Sequence, residues 1–503
     1  MSESFSKEDV KKVAKGAGTT LIGSSIGKGL FFLSQVIVAR FLGVEAFGLY
    51  ALGFAAVKIC EILSRLGLNM GGMRFVSIYK DTNVHKLKGI LISALGLALL
   101  NGVFVGMLLY FLSDIVARKI FHQPTLTEIL KLFALSIPFV SGLTMVSYLL
   151  QGFHTTKYTV YSRDFIQPGT NILLILFFYR IGFGLSGVIY AFTISNFLAF
   201  VASFLFFKKL FPKFLNRDLK PDYEIKKLLS YSAPLLFVGF LHYFLTWTDT
   251  LMIGLLSSAR DIGIYRAASQ VPFIMTLFLT AASSIFAPLV ADLYQKREMQ
   301  RLSNIFKSTT RWVTYLIVPI FIFLVFSSKE IMMLFGKEYI ETGSIVLIIL
   351  SFGQLVNCVT GGVGYTIVMT GRQNLELANS IGLVFLNVIL NLLLIPRYGA
   401  VGAAISAGSS IVLINLLRVI ETYFIYNMIP FSQKMMKVLV PTFLCVLVLL
   451  IGQNNLSGIG GAFSSIFLIL VIFGISIYVL KLADEDKYIL DIFRNKLLCK
   501  ISK

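Results

Sequence analysis

The chain has 503 residues, 56% of them hydrophobic and only 14% charged, with a mean hydropathy of +0.82. A soluble domain carries about 25% charged residues, so this chain is solvated mostly by lipid. Its formal charge of +20 would point a soluble protein toward nucleic acid; on a membrane protein the positive-inside rule accounts for most of it, and nucleic acid is not an expected partner.

A spanning helix needs about 20 mostly apolar residues, and by that measure the sequence predicts an all-α integral membrane protein of roughly 14 transmembrane helices. Residues 1–16 are polar and basic and read as a short amphipathic helix on the cytoplasmic membrane face, with no cleavable signal ahead of the first apolar run. Six spans are expected near 17–41, 46–68, 88–112, 129–152, 161–180 and 185–207, forming an N-lobe over 17–207. A basic linker, 208–230, leads to a C-lobe over 231–427, with spans near 231–256, 262–292, 309–328, 342–370, 375–396 and 400–427. A final helix pair occupies 428–482, with spans near 435–453 and 461–481, and a basic cytoplasmic tail covers 483–503. The fifth and eleventh spans carry interruptions at Pro168 and Asn391.

Lysine and arginine alternate loop by loop, with an excess of roughly four to one on one side, which predicts that both termini are cytoplasmic. Two turns also recur. Gly48-Leu49-Tyr50 follows the first span as Gly263-Ile264-Tyr265 follows the seventh, and YRIGFGLSG (179–187) corresponds to PRYGAVGAA (396–404). Both halves begin on the same side, so the two six-helix lobes are expected to be related by a pseudo-two-fold axis along the membrane normal.

Charges inside the spans are the functional candidates, because each costs roughly 2.5–3.5 kcal/mol at mid-helix unless it is paired or lines a wet cavity. Lys28 in the first span and Lys58 with Glu61 in the second lie at similar depth. One reading is a Lys58–Glu61 pair at i, i+3 with Lys28 snorkelling; the other has both lysines lining a cavity that attracts phosphate. Arg40, Asp249 and Arg266 fall near the outer ends of their spans. Either Asp249 and Arg266 form a structural salt bridge, or Asp249 is a gate or coupling site for a proton or sodium ion, with Arg40 and Arg266 on substrate charge. Pro138, Pro272, Pro319 and the Gly361, Gly362, Gly364 cluster are potential helix breaks. Asn101 and Asn171 read as interhelical hydrogen-bonding groups, and Tyr243 and Trp247 either as rings that stack on a sugar or, more simply, as interfacial anchors. Cys60, Cys358, Cys445 and Cys499 have no disulfide or metal-ligand spacing, there is no P-loop, and no cofactor or enzymatic activity is expected.

The runs VARFLGVEAFGLYAL (38–52), TDTLMIGLLSSARDIGIYRAA (248–268) and NLLLIPRYGAVGAA (391–404) resemble the polysaccharide-biosynthesis exporters, flippases of lipid-linked oligosaccharides. Their superfamily also holds the multidrug and toxin extruders and the peptidoglycan-precursor flippases. Asp249, Gly263 and Tyr265 match the pattern of the second half. The resemblance implies two six-helix bundles around a V-shaped cavity, alternating access, and a polyprenyl phosphate- or diphosphate-linked oligosaccharide as substrate in the plasma membrane. By position, Lys28, Arg40, Lys58 and Arg266 are the candidate cavity bases, and Asp249 and Glu61 the candidate coupling or gating acids. Membrane lipids, a coupling ion, and a glycan polymerase or glycosyltransferases are the implied partners. The alternatives are a cation-coupled small-molecule exporter of the same fold and a membrane glycosyltransferase or polymerase. The first span has Lys28 and no acid, where the multidrug branch uses acids, which argues against a cationic cargo.

Overall fold

In the computed structural model, which describes residues 7–452 and 458–479, all regular structure is helical and no strand occurs among those residues. This is the arrangement a lipid solvent requires, because a helix satisfies its own backbone polar groups. The basic tail 483–503 and the first six residues of the amphipathic N-terminus lie outside the described residues. From Lys7 onward that N-terminal segment is continuous with the first span.

The contacts divide the chain into two units, 1–266 and 267–503. The first contains α1 (Lys7–Leu42), α2 (Val44–Arg65), α3 (Leu68–Tyr79), α4 (Val84–Ile115), α5 (Leu126–Ala134), α6 (Ile137–Gly152), α7 (Lys157–Thr159), α8 (Gln167–Ile181), α9 (Gly184–Leu210), α10 (Ile225–Leu256) and the start of α11 (Ala259–Ser269). The second contains α12 (Phe273–Gln295), α13 (Met299–Phe326), α14 (Ser328–Met333), α15 (Ile340–Val359), α16 (Val363–Met369), α17 (Gln373–Tyr426), α18 (Leu439–Gly452) and α19 (Gly458–Val479).

Among the described residues nine helices are long and apolar enough to cross a membrane, and two bent pairs bring the number to 11. The expected count of roughly 14 is broadly consistent with this. The difference has physical sources. Gly399, at φ 52°, divides the 54-residue α17 into two helices counted as one, using a backbone conformation that glycine adopts without steric cost. The fifth span is interrupted by a π-helical stretch, Val160–Ile166, ahead of Pro168, and the last is short, Gly460–Ser476. Asn391, by contrast, is buried within regular helix.

The anticipated breaks are realised selectively. α5 and α6 bend by 45° just before Pro138, Pro272 separates α11 from α12, and Gly361 (φ 70°) and Gly362 separate α15 from α16. Pro319 produces no break, since α13 runs through it. One helix was read from the sequence as a loop. α3 buries Leu68, Gly71, Gly72, Phe75, Val76 and Tyr79, an i, i+3, i+4, i+7 stripe. That stripe joins α4, α6 and α9 in the core of the first unit, around Leu91, Leu149 and Phe207.

The linker after α9 is strapped to the ends of α3 and α4. Lys88 donates to the Asn216 and Leu219 carbonyls (2.5 and 2.9 Å), the Asp222 amide donates to the His85 carbonyl (3.0 Å), and Asn83 caps α4 by accepting from the Lys86 amide (3.0 Å). Glu224 accepts from Lys86 (2.7 Å), Tyr79 (2.5 Å) and Lys227 (3.3 Å). The hydrogen bond from Lys86, followed by that from Tyr79, holds its carboxyl at about 2, below the ordinary 4.5. A depressed carboxyl contributes stability that is complete above the unfolded value and is lost only as pH falls through the folded one. Protection of the linker in limited proteolysis is therefore expected to be unchanged from pH 8 down to about 5, whereas Glu224→Gln should expose it throughout that range. Equal protection of the variant would show that the strap does not depend on this carboxylate.

In the second unit, Phe286, Val290, Phe306 and Tyr426 pack α12, α13 and α17 together. A separate cluster of Val318, Ile322, Cys445, Leu449, Ile469 and Phe473 joins α13 to α18 and α19. Beside it lies an apolar cavity of about 570 Å³ whose walls include Val318, Phe321, Leu355, Phe431, Met435 and Leu439.

Candidate functional site

Lys28 stands 14 residues before the end of α1 and Lys58 14 residues after the start of α2, about 21 Å from the shared turn at 1.5 Å per residue. Their common depth follows from that symmetry about Gly43. Lys58 donates to Glu61 at 2.9 Å and lies 5.3 Å from the Phe54 ring centre. The Glu61 side chain is only 6% exposed, and it also accepts from Thr144 on α6 (2.8 Å) and pairs with Arg65 (3.6 Å). A buried carboxylate with two cations and a hydroxyl is well compensated. Lys58, at 34% exposure, keeps part of its ammonium surface accessible. Below this cluster Asn101 donates to the Leu63 and Ser64 carbonyls (2.9 and 3.1 Å), and the Ser64 and Ser141 hydroxyls are hydrogen-bonded to each other. Asn171 likewise donates to Ser34 across helices (3.0 Å).

Lys28 is exposed, and one residue before it α1 meets a carboxylate the sequence reading passed over. Asp164, in the π-helical stretch, accepts from Ser24 (2.8 Å) and Arg163 (3.0 Å) and packs directly on Gly27. π-Helical turns recur at functional sites because they redirect side chains within a helix. The signal was an adjacent Arg-Asp pair inside the apolar run 161–180. With Arg65 and Arg163 added, the bases Lys28, Lys58, Arg65 and Arg163 outnumber the acids Glu61 and Asp164 by four to two.

Asp249 and Arg266 lie at matching depth, seven residues from the end of α10 and the start of α11. Tyr265 donates to Asp249 at 2.5 Å, and the Arg266 guanidinium sits 4.1 Å above the Trp247 ring. Trp247 also packs against Tyr243 and Phe54, while Tyr243 donates to the Ala55 carbonyl at 2.9 Å. Both aromatic residues are buried, at 7% and 2% exposure, so they tie α10 to α2 and are not interfacial anchors. Arg40 is exposed at the end of α1 and has no hydrogen bond or ion pair to this group among the described residues.

The recurring turns form a reciprocal contact. An ideal Cβ on Gly48 would lie 1.8 Å from the Ala259 oxygen, and one on Gly263 would lie 2.1 Å from the Val44 oxygen. Val44 and Ala259 are each four residues before their own glycine, so the start of each helix rests on the glycine of the other. The tyrosines correspond as well. Tyr50 hydrogen-bonds Gln35 on the preceding helix as Tyr265 does Asp249. By contact, Gln35 is the counterpart of Asp249, one residue beyond the Ser34 that alignment of the turns selects.

A second polar layer was also missed, in α17. Arg418 forks onto both oxygens of Glu376, Asn379 donates to Glu421 at 2.7 Å, and Arg372 lies 6.0 Å from the Tyr426 ring centre. Among the described residues no three His, Cys, Asp or Glu side chains converge as metal ligands would.

Known proteins bear on this arrangement. The sequence pattern of a family described as polysaccharide biosynthesis protein matches residues 13–294, and that of the MatE family matches 234–393. The probable low-salt glycan biosynthesis flippase Agl15 of Haloferax volcanii is 29% identical over 201 residues, 40% of this chain and 42% of the relative. The capsular polysaccharide biosynthesis protein CapF of Staphylococcus aureus is 30% identical over 209 residues, 41% and 51% of the two chains. These matches thus span about half the length of the relatives or less. The fold is similar to the inward closed conformation of the lipid II flippase MurJ, with a TM-score of 0.74 at 14% identity over 91% of this chain and 98% of that one. The chain is a multi-pass membrane protein.

Proposed function

The chain belongs to the polysaccharide biosynthesis protein family, and from that premise we propose that it flips a lipid-linked oligosaccharide across the plasma membrane. The cargo, carried on a polyprenyl phosphate or diphosphate, moves from the cytoplasmic to the outer leaflet by alternating access. The observation that carries this reading is the family match over more than half of the chain, on a fold shared with a lipid flippase. The excess of bases over acids around Lys28 and Lys58 supports an anionic headgroup. The apolar cavity beside α18 has the volume and lining to take part of a polyprenyl chain. Flipping makes and breaks no covalent bond, so the protein needs only to bind its cargo in two orientations. By the loop charges the Gly48–Gly263 contact lies on the outer side.

The direct test uses purified protein in proteoliposomes with a fluorescent lipid-linked oligosaccharide and a membrane-impermeant quencher. Time-dependent protection of the label supports the reading. In cells lacking the gene, complete lipid-linked units should accumulate on the inner leaflet. Glycans of altered length or linkage would instead indicate a glycosyltransferase or polymerase. The MatE match over 234–393 favours one other reading, a cation-coupled small-molecule exporter, and efflux of a cationic dye in the same vesicles would support it.

Asp249 is the proposed coupling acid. Loss of its charge-assisted hydrogen bond with Tyr265 should cost about 1.5–3 kcal/mol. In Asp249→Asn, flipping is expected to lose its response to an imposed proton or sodium gradient, while Tyr265→Phe keeps the response at a reduced rate. If both substitutions, together with Arg266→Gln, merely lower the amount of folded protein, Asp249 is structural.

A further inference from the structure

We propose that a pocket between α3 and the start of α10, separate from the bases assigned to transport, binds the phosphate-bearing headgroup of an anionic bilayer lipid. The pocket encloses about 590 Å³ and is lined by Arg74, Phe75, Ile78, Tyr79, Lys227, Ser230 and Tyr231. A headgroup with its glycerol fits that volume, which falls within the usual 300–1,000 Å³ range of small-molecule sites.

The chemistry of the walls is specific. The Arg74 guanidinium lies 4.3 Å from the Tyr231 ring centre and 6.0 Å from that of Phe75. Lys227 lies 5.5 Å from both the Phe75 and Tyr79 rings and donates to the Tyr79 hydroxyl at 2.8 Å. Rings beneath the two cations fix their positions while leaving their outer donors available. Of the nearby carboxylates, Glu224 is already shared among Lys86, Tyr79 and Lys227, and Asp222 lies close enough to act on Lys86. Arg74 has no carboxylate partner among the described residues. The local balance of Arg74, Lys86 and Lys227 against Glu224 and Asp222 is still positive. Arg74, Lys227, Ser230 and Tyr231 are all exposed, so guanidinium, ammonium and hydroxyl donors face one space, the combination that holds a phosphate.

The strap positions this pocket as well. Lys88, His85 and Asp222 fix the linker immediately ahead of Glu224, so Lys227 is presented from an anchored helix start. By the loop charges this is the cytoplasmic end, the leaflet whose anionic lipids attract bases. The inference goes beyond the flippase reading and does not require that the protein transport a glycan.

The test measures thermal stabilisation of the full chain in neutral detergent by dioctanoylphosphatidylglycerol, dioctanoylphosphatidylcholine and inorganic phosphate. Saturable stabilisation by the phosphatidylglycerol, at least tenfold weaker in Arg74→Gln/Lys227→Gln and unaltered in Lys296→Gln, at an exposed lysine outside both sites, is the expected result. Arg74→Lys should retain part of the binding, which keeps the test valid if the double variant folds poorly. Inorganic phosphate binding as tightly as the phosphatidylglycerol would support the anion site with a soluble source. Equal binding of both lipids, or binding indifferent to Arg74 and Lys227, would overturn it.

Discussion

Gly48→Ala and Gly263→Ala are each expected to lower the unfolding midpoint and to suppress flipping, and the double variant should cost less than the sum of the two. Real Cβ atoms essentially never lie under 3.0 Å from such neighbours, yet here they would lie 1.8 and 2.1 Å from backbone oxygens. The obstacles cannot rotate away as a side chain can, so α2 and α11 must separate by roughly 1 Å. Overpacking of this kind typically costs about 1–3 kcal/mol, and the rigidity of both partners puts these sites toward the upper end. The reciprocity predicts the non-additivity. One separation of the same two helix starts relieves both clashes, and neighbouring sites sharing one distortion couple by about 0.5–3 kcal/mol. A penalty of about 2 kcal/mol on the closed contact would also shift the balance between inward- and outward-open states roughly 30-fold. Thermal midpoints and vesicle flipping rates for the two single variants and the double variant check both statements. Strict additivity, or a wild-type midpoint in Gly48→Ala, would mean that the two turns do not rest on one another.

The same two turns show what was legible in the sequence. Gly48, Tyr50, Gly263 and Tyr265 were visible as an echo, because small residues and turn spacing are local features. That the two copies pack on each other was not visible, since no pattern within either copy encodes its partner. The spans were readable from apolar length alone, and Pro138 and Pro272 from the missing backbone donor. α3 was lost because its Gly71, Gly72 and Arg74 read as loop, although its buried positions follow helical period. Asp164 and the Glu376–Arg418 pair were passed over for a related reason. Each acid has a base beside it, in sequence or across a helix pair, so neither stands out as an isolated charge. Asp249 and Arg266 drew attention because neither has an opposite charge beside it in sequence; Asp249 accepts from the Tyr265 hydroxyl and Arg266 lies over the Trp247 ring.

That contrast decides which lysine tests the anionic-cargo reading. Reversing both Lys28 and Lys58 to glutamate would abolish glycan flipping under the proposal, but the two arms are not equally clean. Lys58→Glu would place a second carboxylate one helical turn from Glu61, itself 6% exposed and dependent on Lys58 and Arg65. A second charge beside a carboxylate this buried is destabilising, so a loss of flipping could then reflect loss of fold. Lys28 is exposed on α1, so Lys28→Glu should leave the fold intact. Losing one charge-assisted hydrogen bond to phosphate costs about 1.5–3 kcal/mol. The introduced repulsion is of similar size, which together lowers cargo affinity by roughly 10²- to 10⁴-fold. Lys28→Gln should fall between wild type and Lys28→Glu. For the other lysine, Lys58→Gln/Glu61→Gln removes the pair without leaving a buried charge, and separates its structural role from any contact with cargo. The measurement is flipping of the lipid-linked oligosaccharide at matched protein density, alongside efflux of a cationic dye. An anionic cargo requires the first to collapse in Lys28→Glu. Undiminished glycan flipping would remove Lys28 from the site, and a gain in dye efflux at its expense would show that this one charge sets the sign of the cargo.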